Sequence, residues 1–422
     1  MRSAAKKIAP SASQRTITSD IFSSQNIFDI SLPSSSTRFF ICSDVIKIDF
    51  FSAINKNLFP ISQIVNVIFI ILCIDMQNFE KIYKIASEKY SPTEDFPALA
   101  KQYSLWRETK PLKDLKILDV TPVFENTFPK YSALLASGAE LFVCDSPFAV
   151  FDKSVMSSLE QFGIKLSSSV KEESFDIILD CGGFHSHLNP MFGFSELTRT
   201  GAIKYENISK KVFVADNSIT KEFETTLGTG DGFARAIESL GLARVFNGIV
   251  LVFGCGKVGR GIVMACAERG AKVISVDVPV LKDTAFKFGA TEFVETNSTD
   301  SLLDALKRAD CIVSATGVKN AVKIPKEIVD MSEKIFANMG IEDEFGDSVP
   351  EARALNSKRP LNFILKEPTQ LKFIDPTLAL HNYGATELLS AHLKIGANKP
   401  SEEIENVVLS SVPQGLLEKI MR

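Results

Sequence analysis

Six residues, Gly254-Cys255-Gly256-Lys257-Val258-Gly259, narrow the possible folds more than any other part of this 422-residue chain. The apolar run Ile249–Phe253 precedes them, and Arg260–Arg269 follows with helical spacing. Strand, loop and helix therefore come in the order of a phosphate-binding turn: Gly254 permits the tight bend, Gly256 lets backbone approach a pyrophosphate, and Gly259 allows the helix to close on the strand. The free N–H groups of the helix N-terminus then face the anion. Lys272–Val276 reads as the next strand and ends on Asp277, whose carboxylate suits two ribose hydroxyls and repels a 2′-phosphate. The pattern is a Rossmann-type unit that predicts NAD, with Gly254, Gly256, Lys257, Val258, Gly259 and Asp277 at the cofactor. Two further strands, Cys311–Ala315 and Lys334–Ala337, lead into the turns Ala315-Thr316-Gly317 and Asn338-Met339-Gly340. Thr316, Gly317, Asn338 and Gly340 are accordingly expected at the nicotinamide end, on the sheet edge where such folds bind ligands.

Upstream, short apolar runs again alternate with amphipathic stretches, the signature of parallel strands joined by crossover helices. Lys116–Val120, Glu140–Val143, Asp176–Leu179 and Val212–Val214 are strand candidates, with helices such as Lys130–Ser137 and Val155–Phe162 between them. The expected class is α/β, with two doubly wound parallel-sheet domains, the second a Rossmann NAD-binding domain inserted before a C-terminal return to the first. The expected divisions are 1–75, a non-globular or transit-like extension or a start placed too early; 76–230, a substrate-binding domain; 231–378, the NAD domain; and 379–422, a return helix and tail. A hinge is placed near Gly228–Asp231, ahead of a helix at Phe233–Leu240.

Composition removes several function classes. With 47 basic and 51 acidic residues the net charge is −4, which offers no footprint for nucleic acid and no polybasic membrane patch. The run Ile64–Ile74 is about half the length that spans a bilayer. Seven cysteines without a CxxC pair read as reduced thiols, consistent with a cytoplasmic protein. A small-molecule substrate is the remaining expectation. His185 and His187 have no second ligand pair to complete a zinc site, so no metal is expected and His185 is assigned to substrate contact.

The order of motifs resembles that of the adenosylhomocysteinases from about Asn126 to about Asn382. An acid-ended strand and glycine turn, Leu179-Asp180-Cys181-Gly182-Gly183, precede Leu197-Thr198-Arg199-Thr200-Gly201, then Asp216-Asn217-Ser218-Ile219-Thr220-Lys221, then the glycine loop. The resemblance implies a transient oxidation of a ribose 3′-hydroxyl by held NAD, elimination of a thiol, and addition of water. It implies catalytic roles for Lys221, Asp216, Glu224 and Asp180, with Lys221 against the 3′-hydroxyl and its amine lowered in pKa by burial. It also places Thr198 and Thr200 at the nicotinamide and its ribose, and it suggests a homodimer.

Departures from the family pattern are concentrated at proton-handling positions. Cys181 stands for the second acid of the turn, Leu197 for a glutamate, Arg199 for a threonine and Ile341 for a histidine. Cys181 and Arg199 are therefore assigned to an altered substrate. An NAD-dependent dehydrogenase acting on another substrate, and an inactive NAD-binding homologue, remain the alternatives. The acids Glu342, Asp343, Glu344 and Asp347 read as a solvated face, His381-Asn382 as lying near the return to the first domain, and Trp106 as packing.

Overall fold

The computed structural model describes residues 28–31, 38–41, 78–144, 152–166 and 174–421. Residues 1–76 and 77–422 are separate units. In the first, β1 (Phe28–Ser31) and β2 (Arg38–Ile41) pair antiparallel. The apolar run at 64–74 and the basic residues 2–15 lie outside the described residues.

Two parallel sheets build the second unit. One contains β3 (Lys116–Asp119), β4 (Glu140–Val143), β5 (Lys165–Leu166), β6 (Ile177–Asp180), β7 (Gly193–Glu196), β8 (Lys211–Val214) and β14 (Gly396–Asn398), in the order β14-β8-β7-β6-β3-β4-β5. The other contains β9 (Ile249–Phe253), β10 (Lys272–Asp277), β11 (Glu292–Glu295), β12 (Cys311–Ser314) and β13 (Ile335–Asn338), in the order β11-β10-β9-β12-β13. The chain leaves the first sheet after β8, completes the second and returns with β14, so the architecture is the expected doubly wound α/β pair. In each sheet the strand order reverses once: between β3 and β6 in the first, and between β9 and β12 in the second. The crevice beyond the C-terminal strand ends at such reversals is where open α/β sheets bind ligands.

The helices follow from sequence spacing. Pro97–Thr109 starts with proline in its first turn, buries Leu99, Gln102, Tyr103 and Trp106 on one face, and stops at Lys110 in a left-handed conformation. Trp106 packs edge-on against Tyr383, which is the packing role expected of it. The long helix Leu371–Leu389 lies on β6, β7 and β8, and Gly384 brings it close, since a Cβ there would stand 2.2 Å from Ser195 Oγ.

Four strands of the second unit escaped the sequence reading. β7 (GFSE) lacks an apolar run, β5 (KL) and β14 (GAN) are two and three residues long, and β11 (EFVE) is an edge strand with charged ends. The segment in which the hinge was expected is helical and not a loop. Backbone from Ile219 to Ser239 is continuously helical, with a π-helical turn at Glu224–Gly228 inside it. Its start is ordered by caps and by packing on the glycine-loop helix rather than by local propensity: a Cβ on Gly230 would stand 2.2 Å from the Gly261 carbonyl oxygen, and one on Gly261 1.9 Å from that of Thr226.

Candidate functional site

The glycine loop has the stereochemistry its sequence demands. Gly254 has φ +93°, and a Cβ there would lie 2.3 Å from the Ala315 carbonyl oxygen. At Gly259 a Cβ would stand 1.8 Å from the Gly254 carbonyl oxygen. Gly256, by contrast, would direct a Cβ at no atom within 4 Å, and it opens the helix Lys257–Glu268. A loop whose middle glycine borders open space at a helix start fits a pyrophosphate. Asp277 ends β10 beside it, taking the Cys255 N–H at 2.5 Å and the Val278 N–H at 2.7 Å. Val258 is partly buried on the first helical turn. Lys257 reaches away from the sheet and donates from Nζ to the Asp216 carbonyl oxygen at 3.1 Å, joining the loop to the first sheet.

The turns assigned to the nicotinamide end are engaged by protein groups. Asn338 is buried, accepts from the Ser314 hydroxyl at 2.7 Å and donates to the carbonyls of Gly340, Glu342 and Lys358. Glu344 corrects the solvated-face expectation. It is fully buried, accepts from the Thr316 N–H and hydroxyl at 2.7 and 2.9 Å and from the Gly317 N–H at 2.7 Å, and burial raises its pKa. Asp343 pairs with Lys358, whereas Ile341 is exposed.

Across from the loop, the C-terminal ends of β6, β7 and β8 bring acids and a lysine together. Lys221 Nζ donates to both oxygens of Glu224 at 2.8 Å, with each side chain about nine-tenths buried. Burial pulls the ammonium down, but Glu224 and then Asp216 outweigh it and hold Lys221 above its ordinary value. This corrects the expectation of a lowered amine, because the carboxylate one helical turn along the chain pairs with the ammonium and opposes the effect of burial.

Asp180 is fully buried and accepts from the N–H groups of Cys181 and His185 at 2.8 and 2.9 Å and from the Tyr205 hydroxyl at 2.5 Å. Burial would raise its pKa, but the bonds from His185 and Tyr205 keep it lowered. His185 Nδ1 lies 3.8 Å from Asp180 and its Nε2 4.0 Å from Cys144 Sγ. Cys181 is pushed up by burial and then by the charge of Glu196, with Lys221 acting the other way, so its thiol lies among the acids and the lysine.

Glu196 was missed by the sequence reading, which matched the neighbouring Leu197 to the family's glutamate. Leu197 is buried in the first core, while Glu196 is fully sealed over the glycine turn. It accepts from the N–H groups of Gly182, Gly183 and Thr198 at 2.9, 3.0 and 2.7 Å and from the Thr198 hydroxyl at 2.7 Å. Burial and the charge of Asp180 push its pKa up to about 7. The available signal was a lone acid at a strand end, hidden because β7 does not read as a strand. Thr198 caps the helix Arg199–Lys204, and Arg199 and Thr200 are exposed on its first turn.

A second unforeseen group sits at the β3–β6 reversal. Lys130 and Asp119 form an ion pair with both side chains fully buried, and Asn382 donates to the Lys130 carbonyl at 3.3 Å. Burial drives the Lys130 amine well below its ordinary value. His381 joins the sheet through a 2.7 Å contact of Nε2 with the Ser195 carbonyl. Among the described residues no cluster of ligand-type side chains suited to a metal ion occurs, and no helix is long and apolar enough to cross a membrane.

Fold and site together define a two-sheet α/β protein with a dinucleotide-type glycine loop facing a buried lysine–carboxylate cluster. Its sequence is similar to those of adenosylhomocysteinases. It is 25% identical over 300 residues to that of Thermoplasma acidophilum, an alignment covering 64% of this chain and 72% of the relative. It is 26% identical over 277 residues to that of Sulfurisphaera tokodaii, covering 58% and 64%, and 28% identical over 271 residues to that of Pyrococcus abyssi, covering 56% and 61%. The matched stretch thus leaves more than a third of the length of these last two relatives unmatched. No family model matches the chain. A solved structure of a dipicolinate synthase chain from Bacillus halodurans superposes with a TM-score of 0.45 at 13% identity, covering 66% of this chain and 98% of that one.

Proposed function

We propose that the protein binds NAD at the glycine loop and acts on a nucleoside thioether of the S-adenosylhomocysteine type by transient oxidation of the ribose. One observation carries this reading: Lys221 holds both oxygens of Glu224 beside Asp216, whose carbonyl is itself held by Lys257 of the glycine loop. A proton-handling pair thereby stands at the mouth of the cofactor loop. The distant similarity to adenosylhomocysteinases supports the same reading.

Bound NAD would supply a reversible oxidant for a secondary alcohol. Gly256 borders the open space that would take its pyrophosphate, Gly254 and Gly259 let the loop fold tightly beside it, and Asp277 suits its adenosine ribose. At the substrate, Lys221 would pass its proton to Glu224 and take that of the ribose hydroxyl; the proton gained leaves one net positive charge on the pair, which the neighbouring Asp216 offsets. Elimination needs a further group that exchanges protons near neutrality. The raised thiol of Cys181 is a poor base; Glu196, at about 7, has the matching value but is sealed with both oxygens on protein donors, so it acts on the charge of the Cys181 turn and not on the substrate itself. Asp180, kept ionised by its donors, orients the Cys181 turn and His185.

The test is to denature the purified full chain and assay the supernatant for NAD, then to incubate intact protein with S-adenosylhomocysteine and follow free thiol. Bound NAD with thiol release supports the reading in full. Bound NAD and nucleoside oxidation without thiol release favours a dehydrogenase, and failure to bind NAD on titration overturns the proposal.

A further inference from the structure

The chain ends in two helices, Glu402–Leu409 and Gln414–Ile420, for which the proposed chemistry has no use. Their apolar side chains enter both cores. Ile404 and Val408 pack with the core of the first sheet, while Val412, Leu416, Leu417 and Ile420 pack with the cluster that contains Phe223 and the inner face of β9. Between these contacts, Glu405 Oε1 accepts the N–H of buried Thr220 at 3.0 Å.

That N–H belongs to the first turn of the helix Ile219–Phe223, where backbone donors have no partner within the helix. Ser218 Oγ takes the neighbouring donor, the N–H of Lys221, at 2.9 Å. A side chain 185 positions downstream therefore shares with Ser218 the capping of the turn that presents Lys221. Its carboxylate also stands at the positive end of the helix dipole. Farther along the same helical run, Arg260 of the glycine-loop helix bonds to Glu222 at 2.5 Å, so the turn is held from the tail on one side and from the loop on the other.

We infer that the C-terminal helices are an intramolecular brace for Lys221 and that Glu405 is its positioning residue, fixing the first turn so that Lys221 Nζ stays on both oxygens of Glu224. The inference rests on the reading of Lys221 and Glu224 as the proton-handling pair. Without Glu405 the turn keeps one of these two caps, and the ammonium is less firmly held on Glu224. Burial, which pulls the amine down, is then less opposed.

The experiment compares the full chain with Glu405→Ala and Glu405→Gln. Bound NAD is quantified, its single-turnover reduction on mixing with S-adenosylhomocysteine is followed by near-ultraviolet absorbance across pH, and amide hydrogen exchange is read over residues 219–224. Glu405→Ala is expected to slow reduction about tenfold, the effect of losing one cap of ordinary strength, with NAD content and KM unchanged. Its pH limb for Lys221 should move to lower pH, and exchange at 219–224 should quicken. Glu405→Gln, which keeps an acceptor oxygen, should restore most of the rate. A wild-type rate and pH profile in Glu405→Ala would overturn the inference. So would equal damage in both variants with an unmoved pH profile, which is the mark of a general structural role. If the unaltered chain reduces no NAD with this nucleoside, the functional reading fails separately. The brace is then judged by exchange and by the acetylation rate of Lys221 read by mass spectrometry, and unchanged values for both in Glu405→Ala would reject it.

Discussion

Asp180 and Glu196 stand opposite each other in the register of the parallel strands β6 and β7, both sealed from solvent at the C-terminal edge of the first sheet. Two adjacent buried carboxylates cannot both ionise cheaply. Protein donors reach both, three on Asp180 and four on Glu196, but Asp180 also has the His185 imidazole 3.8 Å away and stays low, so the penalty falls on Glu196.

Stability should therefore vary with pH through Glu196. Its native pKa of about 7 lies above the ordinary 4.5, so the native state holds this proton more tightly than the unfolded chain. The contribution is complete below about pH 4.5 and is lost as pH rises through 7. Urea unfolding should give a midpoint that falls between pH 5 and 8, and Glu196→Gln should flatten that fall. An unchanged slope in the variant would assign the pH dependence elsewhere.

The three loop glycines should separate folding from cofactor binding. Gly259→Ala places a Cβ against a backbone carbonyl, so its melting temperature should drop by several degrees, as expected for core overpacking of about 1–3 kcal/mol. Gly256→Ala meets no protein atom and keeps an ordinary φ, so its melting temperature should match the parent while NAD affinity falls at least about tenfold. Calorimetry with and without NAD reads both quantities.

Lys221→Met should keep bound NAD and lose nucleoside oxidation by about 10²–10⁴-fold, the usual contribution of a positioned acid–base group. Retention of NAD separates this loss from a collapsed site. A variant with parental turnover would remove Lys221 from the chemistry.

The buried pair at the β3–β6 reversal predicts a double-mutant outcome. Asp119→Leu alone strands a buried lysine and should cost about 3–5 kcal/mol in chemical denaturation, whereas Lys130→Met with Asp119→Leu should recover most of that loss. If stability returns but turnover does not, the pair serves the site rather than the fold.

Local stereochemistry was legible from the sequence. The glycine loop, its strand, its helix and Asp277 could be read because Gly254 and Gly259 answer clashes with backbone at the end of the adjoining strand and a few residues away, while Gly256 leaves room for an anion, and such requirements leave a fixed spacing. Alternating apolar runs likewise marked most of the central strands, because burial on both faces demands them. What the sequence did not show were the groups whose partners lie far along the chain or on a strand without an apolar signature. Glu196 lies on such a strand, and Glu344 reads as part of a charge run until the turn of Thr316 folds over it. Lys130 gains its counter-ion only where Asp119 meets it, and Glu405 gains a role only when the tail packs on Thr220. Tertiary structure decided these placements, because a buried polar group is stable only where partners satisfy it, and the fold, not local spacing, brings those partners together.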